Sequence, residues 1–158
     1  MINSTLGSMD SDSLFKKNIE SLKEIFSHCT TAEKRYEKII ECASFLPPFN
    51  EAEKTEKNLV PGCQSILYVS VHLKENRVFF TTFSEALISK GLAALLFYVY
   101  NGVSPEIILK NPPVFLKDLG ILSSLSPSRS NGVLSLFKKI QTSVILLLSN
   151  QKTPSSII

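Results

Sequence analysis

Apolar side chains recur at steps of three and four residues over the first third of the chain, a spacing that puts them on one face of a helix. From Leu14 onward, the first such stripe consists of Phe15, Ile19, Leu22, Phe26 and Cys29. The second stripe consists of Tyr36, Ile39, Ile40, Ala43 and Leu46. Thr30 with Glu33 fits a capping box that would open the second helix, and Pro47-Pro48 would end it. This first part of the chain is therefore predicted to form a helical hairpin.

After a loop at residues 47–62, the spacing of the apolar residues changes from that of a helix to every second residue. Between Gln64 and Leu73 apolar and polar side chains alternate, which is typical of a half-buried strand. The segment Val78–Thr82 is β-branched and aromatic, and the turn candidate Lys74–Arg77 makes it the antiparallel partner. We expect a small sheet of two or three strands.

The rest of the chain has helical patterns separated by glycine and proline. Ser84 is expected to cap a long helix to about Tyr100, which is apolar on nearly every side after Gly91 and so belongs in the core. Shorter helices are predicted after Ser104 and over Val114–Leu119, and a last one from about Ser128 to Leu148. Segregated strands and helices predict an α+β fold, in which C-terminal helices pack on the small antiparallel sheet.

The length and charge of the chain limit the number of domains and the classes of partner to be expected. For 158 residues we expect one domain at 13–149, with a disordered arm at 1–12 and a loose tail at 150–158. The net charge of +3 is small and the basic residues are interleaved with acidic ones, which argues against nucleic acid. The longest apolar run, Ala86–Tyr100, is interrupted and too short to span a membrane, and no targeting pattern is visible. We expect a cytoplasmic protein with neither nucleic acid nor membrane as a partner.

The three cysteines are the residues with the most distinctive chemistry. An odd number of cysteines without a signal peptide predicts free thiols in a reducing compartment. Cys63 follows Pro61 and Gly62 on a loop that can present a thiol to a partner, because Pro fixes φ and Gly relaxes it. Cys29 and Cys42 lie on or beside the apolar stripes, where a cysteine is usually a small hydrophobe.

Other catalytic arrangements are not recognisable in the sequence. His28 and His72 complete neither a zinc-site spacing nor a nucleophile triad, and both are expected to be surface histidines. The scattered glycines form no phosphate-binding loop. Arg129 falls in the first turn of the last helix, where a cation is unfavourable to the helix dipole, and this hints at a role outside the helix.

Four segments of the chain resemble the SufE family. Residues 60–65 read Val-Pro-Gly-Cys-Gln-Ser and match the family signature V-P-G-C-Q-S. Phe45–Pro48 resembles the segment ahead of the family's cysteine loop, and Ile88–Leu92 resembles its I-V-K-G-L/I stretch. Leu125–Gly132 matches L-S-P-S-R-S-N-G. The segments come in the family's order and with about its spacing, over roughly residues 14–148, so the chain is identified as a member of this family.

The resemblance implies an α+β fold related to the IscU-type scaffold and a role in iron–sulfur cluster assembly. Such a protein accepts sulfane sulfur from a SufS-type cysteine desulfurase as a persulfide, stimulates that enzyme and delivers the sulfur to the SufBCD scaffold. Cys63 would then be the acceptor nucleophile, and Arg129 would lie near the desulfurase interface. Four neighbours would shape the cysteine loop: Pro61, Gly62, Gln64 and Ser65. The protein would be no stand-alone enzyme and would hold no cofactor, because the pyridoxal phosphate belongs to the desulfurase.

Three other functions remain open on this sequence. One is a CsdE-type acceptor, which feeds a paralogous desulfurase. Another is an adaptor that activates a desulfurase allosterically without carrying sulfur. The third is an iron–sulfur scaffold, which is disfavoured because Cys29 and Cys42 lack the spacing of cluster ligands. The sequence also leaves a monomer and a homodimer as alternatives. Phe83 departs from the acidic or small residue of many relatives, which predicts a different anchorage of the nearby loop.

Overall fold

The computed structural model of the chain describes residues 9–152. The helices and strands of this part follow in the order α1 (Ser11–Phe26), α2 (Ala32–Glu41), β1 (Leu67–Lys74), β2 (Arg77–Ser84), α3 (Leu87–Tyr100), α4 (Pro105–Lys110), α5 (Phe115–Asp118) and α6 (Pro127–Lys152). Short 3₁₀ turns occupy Cys42–Phe45, Glu51–Glu53, Glu56–Asn58 and Leu122–Ser124. The predicted α+β class is confirmed, with a helical hairpin, a two-stranded antiparallel sheet and C-terminal helices.

Strands β1 and β2 form a hairpin with a two-residue turn. Leu67 lies opposite Ser84 and Lys74 lies opposite Arg77. Both turn residues, Glu75 and Asn76, have a left-handed backbone with φ of 51° and 60°. Two consecutive positive φ values are typical of a type I′ turn, whose twist matches that of the flanking strands. The strand was predicted to begin at residue 64, but residues 64–66 belong instead to the loop that carries Cys63.

Helix α3 is the centre of the fold. All residues from Gly91 to Leu96 are buried, and the helix contacts α1, α2, β2 and α6. It approaches α2 so closely at Gly91 that a Cβ atom there would overlap the carbonyl oxygen of Ile39. The prediction of a buried core helix is confirmed. Its glycine is the position at which two helix backbones touch.

Tyr100 joins three helices to the end of α3. Its ring lies 5.5 Å from that of Phe15, 6.0 Å from that of Phe115 and 4.9 Å from that of Phe137, measured between ring centroids. Its hydroxyl donates a hydrogen bond of 2.8 Å to the carbonyl oxygen of Asn111. Burial raises the pKa of this phenol far above its ordinary value. The hydroxyl therefore stays a neutral donor within the core.

Helix α6 is long and covers both the sheet and the central helix. Its buried side chains are Val133, Leu136, Phe137, Ile140 and Val144. Over Pro127–Gln151 the helix is also long and apolar enough to cross a membrane, judged by length and composition alone. A core helix of a globular domain meets the same criterion, so this helix is weak evidence of a span. The apolar run noted in the sequence, Ala86–Tyr100, is the shorter helix α3.

Two predicted helix caps were placed at the wrong residue. Helix α2 is capped by Thr31 and not by Thr30, and the Thr31 hydroxyl accepts a 3.1 Å hydrogen bond from the Lys34 amide. Ser84 ends β2 as a buried residue, and α3 begins only at Leu87. At α2 two adjacent threonines satisfy the same local rule, whereas at α3 the pairing of Ser84 with Leu67 keeps the predicted cap residue in the strand, and no side chain in the described part of the chain makes the cap bond.

Helical structure extends a few residues beyond the predicted domain limits of 13 and 149. Helix α1 begins at Ser11 within the expected arm, and Asp10 caps it by accepting a 2.8 Å hydrogen bond from the Ser13 amide. The Met9 carbonyl accepts a hydrogen bond from the Arg77 guanidinium, which ties the start of this segment to β2. At the other end α6 continues to Lys152, into the expected tail. The rest of the arm and tail lies outside the described residues.

We expect Gly91→Ala to destabilise the protein by about 2 kcal/mol or more, even though alanine favours helix formation. The added methyl group meets the α2 backbone, which has no rotamer through which to move away. Urea denaturation measures the change in the free energy of unfolding. Lys90→Ala, at the neighbouring position of the same helix, is the control and should change it by less than about 0.5 kcal/mol. Equal stability of the two variants would contradict a backbone contact at Gly91.

Candidate functional site

The loop that carries Cys63 is closed at its base by the sheet. The amide of Val60 donates a 2.8 Å hydrogen bond to the carbonyl oxygen of Leu67 at the start of β1. Between these residues the chain makes an exposed turn through Pro61 and Gly62, and Gly62 has φ of +77°. Proline followed by a residue with positive φ is the order that a type II turn requires. The turn reverses the chain and directs the Cys63 side chain back toward the domain.

The Cys63 thiol lies half-buried at a small cavity between the loop, α3 and α6. Its Sγ donates a hydrogen bond of 3.6 Å to the carbonyl oxygen of Gly132, in the second turn of α6. The cavity has a volume of about 60 Å³. Helix α3 supplies part of its wall through Ser89, Leu92 and Ala93. Because α3 is fixed in the core, this wall is rigid.

The structure brings together most of the residues that the sequence indicated. Gln64, Ser65 and Arg129 line the same cavity as Cys63. Pro61 and Gly62 do not line it and form the turn that precedes the cysteine. Their predicted part in shaping the loop is consistent with this position, and the functional role of all six residues stays a prediction.

Most of the wall of the cavity was not predicted from the sequence, including Ser89 and Gly132. Both lie inside family-like segments, Ile88–Leu92 and Leu125–Gly132, that had been used only for recognition. The order of the motifs was a signal that these segments meet the cysteine loop. It did not indicate that the backbone carbonyl of Gly132, and not a side chain, would contact the thiol.

Burial determines the ionisation of Cys63. It raises the pKa of the thiol above its ordinary value, and no charge within residues 9–152 contributes an opposing shift. The Gly132 carbonyl oxygen accepts a hydrogen bond from the protonated Cys63 thiol, which a thiolate could not donate. The sequence had left the activation of this cysteine open. In the isolated protein the thiol is neutral at physiological pH and therefore a weak nucleophile.

The two other cysteines lie away from this cavity, in the helical hairpin. Cys42 is buried in the core, and burial raises its pKa to about 11. Cys29 is partly buried and its carbonyl accepts a hydrogen bond from Arg35. In the part of the chain that the structure describes, no three His, Cys, Asp or Glu side chains come together as metal ligands.

Arg129 is the cation at the mouth of the cavity. It is the third residue of α6, so the predicted first-turn position is correct. Its guanidinium makes no hydrogen bond or ion pair with any residue from 9 to 152, although it lines the cavity beside Cys63. A free arginine can still bind a carboxylate or another anion on a partner in bidentate geometry.

Phe83 anchors the loop that leads to the cysteine. Its ring centroid lies 6.1 Å from that of Phe49 and 6.4 Å from that of Tyr68 on the neighbouring strand. The Lys54 ammonium lies 3.6 Å from the centre of the Phe83 ring, which is a cation–π contact. Phe83, the residue that departs from many relatives, therefore holds the loop from Phe49 to Lys54 against the sheet through its aromatic ring.

Comparison with known proteins points to one family. The family described as SufE, Fe-S metabolism associated domain, matches residues 20–144. An uncharacterised SufE-like protein of Synechocystis is 37% identical over 128 residues, which cover 81% of this chain and 80% of that protein. A SufE-like protein of Arabidopsis thaliana, described as chloroplastic/mitochondrial, is 33% identical over 130 residues. These cover 82% of this chain but only 35% of the longer plant protein.

The fold has a close counterpart among solved structures. The solution structure of a hypothetical protein from Thermus thermophilus matches with a TM-score of 0.70 and 25% sequence identity. The match covers 84% of this chain and 96% of that one. The two chains therefore share their architecture over nearly the whole of the smaller protein.

We expect alkylation of Cys63 by iodoacetamide to be slow at neutral pH and to keep rising above about pH 8.5, where an unperturbed thiol is half ionised. The reason is the raised pKa, because only the thiolate reacts and burial disfavours it. Rates from peptide mapping across pH, compared with those of the urea-unfolded chain, test this. A Cys63 rate that is already constant by about pH 8 would contradict it.

Cys42 provides an internal reference in the same experiment. With a pKa of about 11 and a side chain enclosed by the core, it should be the slowest of the three cysteines to react in the folded protein. In urea the three rates should converge. Labelling of Cys42 ahead of Cys63 under native conditions would show that the hairpin opens more readily than the cysteine loop.

Proposed function

Because this chain belongs to the SufE family, we propose that Cys63 accepts sulfane sulfur from a SufS-type cysteine desulfurase and delivers it to a SufBCD scaffold. Family membership itself makes the chain an accessory sulfur-transfer protein of iron–sulfur metabolism that works with a cysteine desulfurase. The observation that carries the finer proposal is the thiol of Cys63 at a small cavity, with a turn before it and beside it Arg129, whose guanidinium has no hydrogen-bond or ion-pair partner among residues 9–152.

The transfer requires only one thiol on this chain. The Cys63 thiolate attacks the outer sulfur of the desulfurase cysteine persulfide, and a new sulfur–sulfur bond forms on Cys63. The sulfur–sulfur bond of the donor breaks, its inner sulfur leaves as a thiolate, and that thiolate takes up a proton. No net oxidation or reduction occurs. Neither Cys29 nor Cys42 is needed to resolve an intermediate, which agrees with their absence from the cavity lining.

The cavity has room for the sulfur that Cys63 would carry. A void needs roughly 10–15 Å³ of volume to hold one water, and this cavity has about 60 Å³. A persulfide on Cys63 can therefore lie between the loop and Leu92 or Val133 without opening the core. Apolar walls on these two sides would keep water and small thiols from the outer sulfur.

The neutral thiol of the free protein requires a step that activates it. Docking of the desulfurase would open the Cys63 loop, which ends the burial that raises the pKa. The turn at Pro61 and Gly62 is exposed and makes no side-chain hydrogen bond with the described residues, so it can move without breaking the sheet. Arg129 would contact an acidic group of the desulfurase at the same surface. The pyridoxal phosphate chemistry would remain in the partner.

We expect intact-mass analysis to detect the addition of one sulfur atom after incubation with a SufS-type desulfurase and free cysteine. Peptide mapping after non-reducing alkylation should locate it on Cys63, because that thiol alone lies at the cavity. Cys63→Ser should gain no sulfur and should not stimulate the desulfurase. Cys29→Ser is the matched control and should behave as the wild type.

Three outcomes would redirect the proposal. If Cys63→Ser still stimulates turnover, the protein acts as an allosteric activator and does not carry sulfur. If the sulfur appears only with a paralogous desulfurase, the chain is a CsdE-type acceptor. Visible absorption after anaerobic reconstitution with iron and sulfide would instead indicate a cluster scaffold.

The proposed opening makes a separate prediction about reactivity. Alkylation of Cys63 at neutral pH should become faster when a catalytically inactive desulfurase is added, because docking exposes the thiol. The rate for Cys29 should not change and serves as the control. Equal Cys63 rates with and without the desulfurase would contradict opening on docking.

A further inference from the structure

The segment between α5 and α6 leads directly into the turn of α6 that walls the Cys63 cavity. Between Leu119 and Ser126 its only regular element is the 3₁₀ turn Leu122–Ser124. Helix α6 then begins at Pro127, and its residues Arg129 and Gly132 line the cavity. The position of this segment therefore determines where the first turns of α6 lie.

Arg35 of α2 holds this segment through its guanidinium. The Nε donates a 2.9 Å hydrogen bond to the Ser124 hydroxyl, and Nη1 donates one of 3.3 Å to the Cys29 carbonyl. The guanidinium also lies against the backbone of Gly120, where an added Cβ atom would be 3.3 Å from Nε. One side chain thus connects the helical hairpin with the segment ahead of α6. We call this group of residues, Arg35, Ser124 and Gly120, the Arg35 brace.

Serine side chains extend the brace to α6. The hydroxyl of Ser124, which accepts from Arg35, donates in turn to the Gly120 carbonyl at 2.8 Å. Ser123 donates to the same carbonyl at 3.0 Å but has no bond to Arg35. The Ser130 hydroxyl in the first turns of α6 donates to the Leu122 carbonyl at 3.5 Å. These bonds link α2 to residues 120–124, and they link residue 122 to the first turns of α6.

We propose that Arg35 is a positioning residue for sulfur transfer at Cys63. It touches neither the thiol nor the cavity, and it acts by fixing the first turns of α6, which carry Arg129 and the Gly132 carbonyl. The inference rests on the proposed function, because one of its two readouts is stimulation of the desulfurase. An arginine suits the role because its planar fork reaches a hydroxyl and a carbonyl at once, which a lysine ammonium cannot do in the same geometry.

The adjacent serines offer a matched pair of variants. Ser124→Ala removes the acceptor of Arg35 together with one bond to Gly120, whereas Ser123→Ala removes only an equivalent bond to Gly120. Arg35→Met removes the guanidinium but keeps an apolar side chain of similar length. Lys34→Met removes a cation from an exposed position of the same helix and controls for charge. Where Arg35→Met lowers the melting temperature markedly, Ser124→Ala carries the test.

Two readouts are measured on the intact protein. The first is the alkylation rate of Cys63 without any partner, and the second is the protein concentration that half-saturates stimulation of a SufS-type desulfurase. Arg35→Met and Ser124→Ala should raise both about two- to tenfold, the range expected for one net hydrogen bond, with the maximal turnover little changed. Arg35→Lys should lie between these variants and the wild type. Ser123→Ala and Lys34→Met should stay within about twofold of the wild type.

A double-variant cycle separates positioning from a general loss of stability. If Arg35 acts through Arg129, adding Arg35→Met to Arg129→Ala should raise the half-saturating concentration no further. Fully additive effects would overturn the inference, as would Ser124→Ala behaving like Ser123→Ala in both readouts. A wild-type protein that neither stimulates the desulfurase nor takes up sulfur would refute the proposed function instead. In that case the alkylation rates still decide whether the brace fixes the cavity wall.

Discussion

The contact between two helix backbones at Gly91 is the constraint on which the rest of this structure depends. The glycine lets α3 lie directly against the Ile39 carbonyl of α2, so that the most apolar helix is enclosed by the hairpin on one side and the sheet on the other. A rigid α3 then fixes Ser89 and Leu92 as one wall of the Cys63 cavity. The close packing that stabilises the domain is also what gives the site a fixed shape.

The environment of Cys63 favours a protected thiol over a reactive one. Burial and the Gly132 carbonyl both stabilise the protonated thiol, and Arg129 does not offset them. A permanent, exposed thiolate would attack disulfides that it met and form mixed disulfides with them. A neutral, half-buried thiol avoids this, and under the proposed function the reactive form would be restricted to the complex with the desulfurase.

The cavity is built from three segments that are far apart in sequence. A few side chains hold the surrounding elements in place. Phe83 and Lys54 hold the loop ahead of the cysteine on the sheet. Arg77 joins β2 to the Gly102 carbonyl at 2.8 Å, and Arg35 joins the hairpin to the segment ahead of α6. Each of these contacts has a directional geometry that apolar packing alone does not impose.

The sequence by itself determined the fold class, the element order and the family, and it indicated Cys63 as the residue to examine. These follow from local information, namely periodicity, proline and glycine signals, and motifs of consecutive residues. The cap at Thr30 was predicted wrongly because the adjacent Thr31 satisfies the same local rule, and the cap at Ser84 because strand pairing holds that residue in β2. Tertiary structure alone decided the carbonyl that receives the thiol, the burial that raises its pKa and the arginine that braces the cavity wall. Distances between segments tens of residues apart depend on how the whole core packs, and no local pattern in the chain records them.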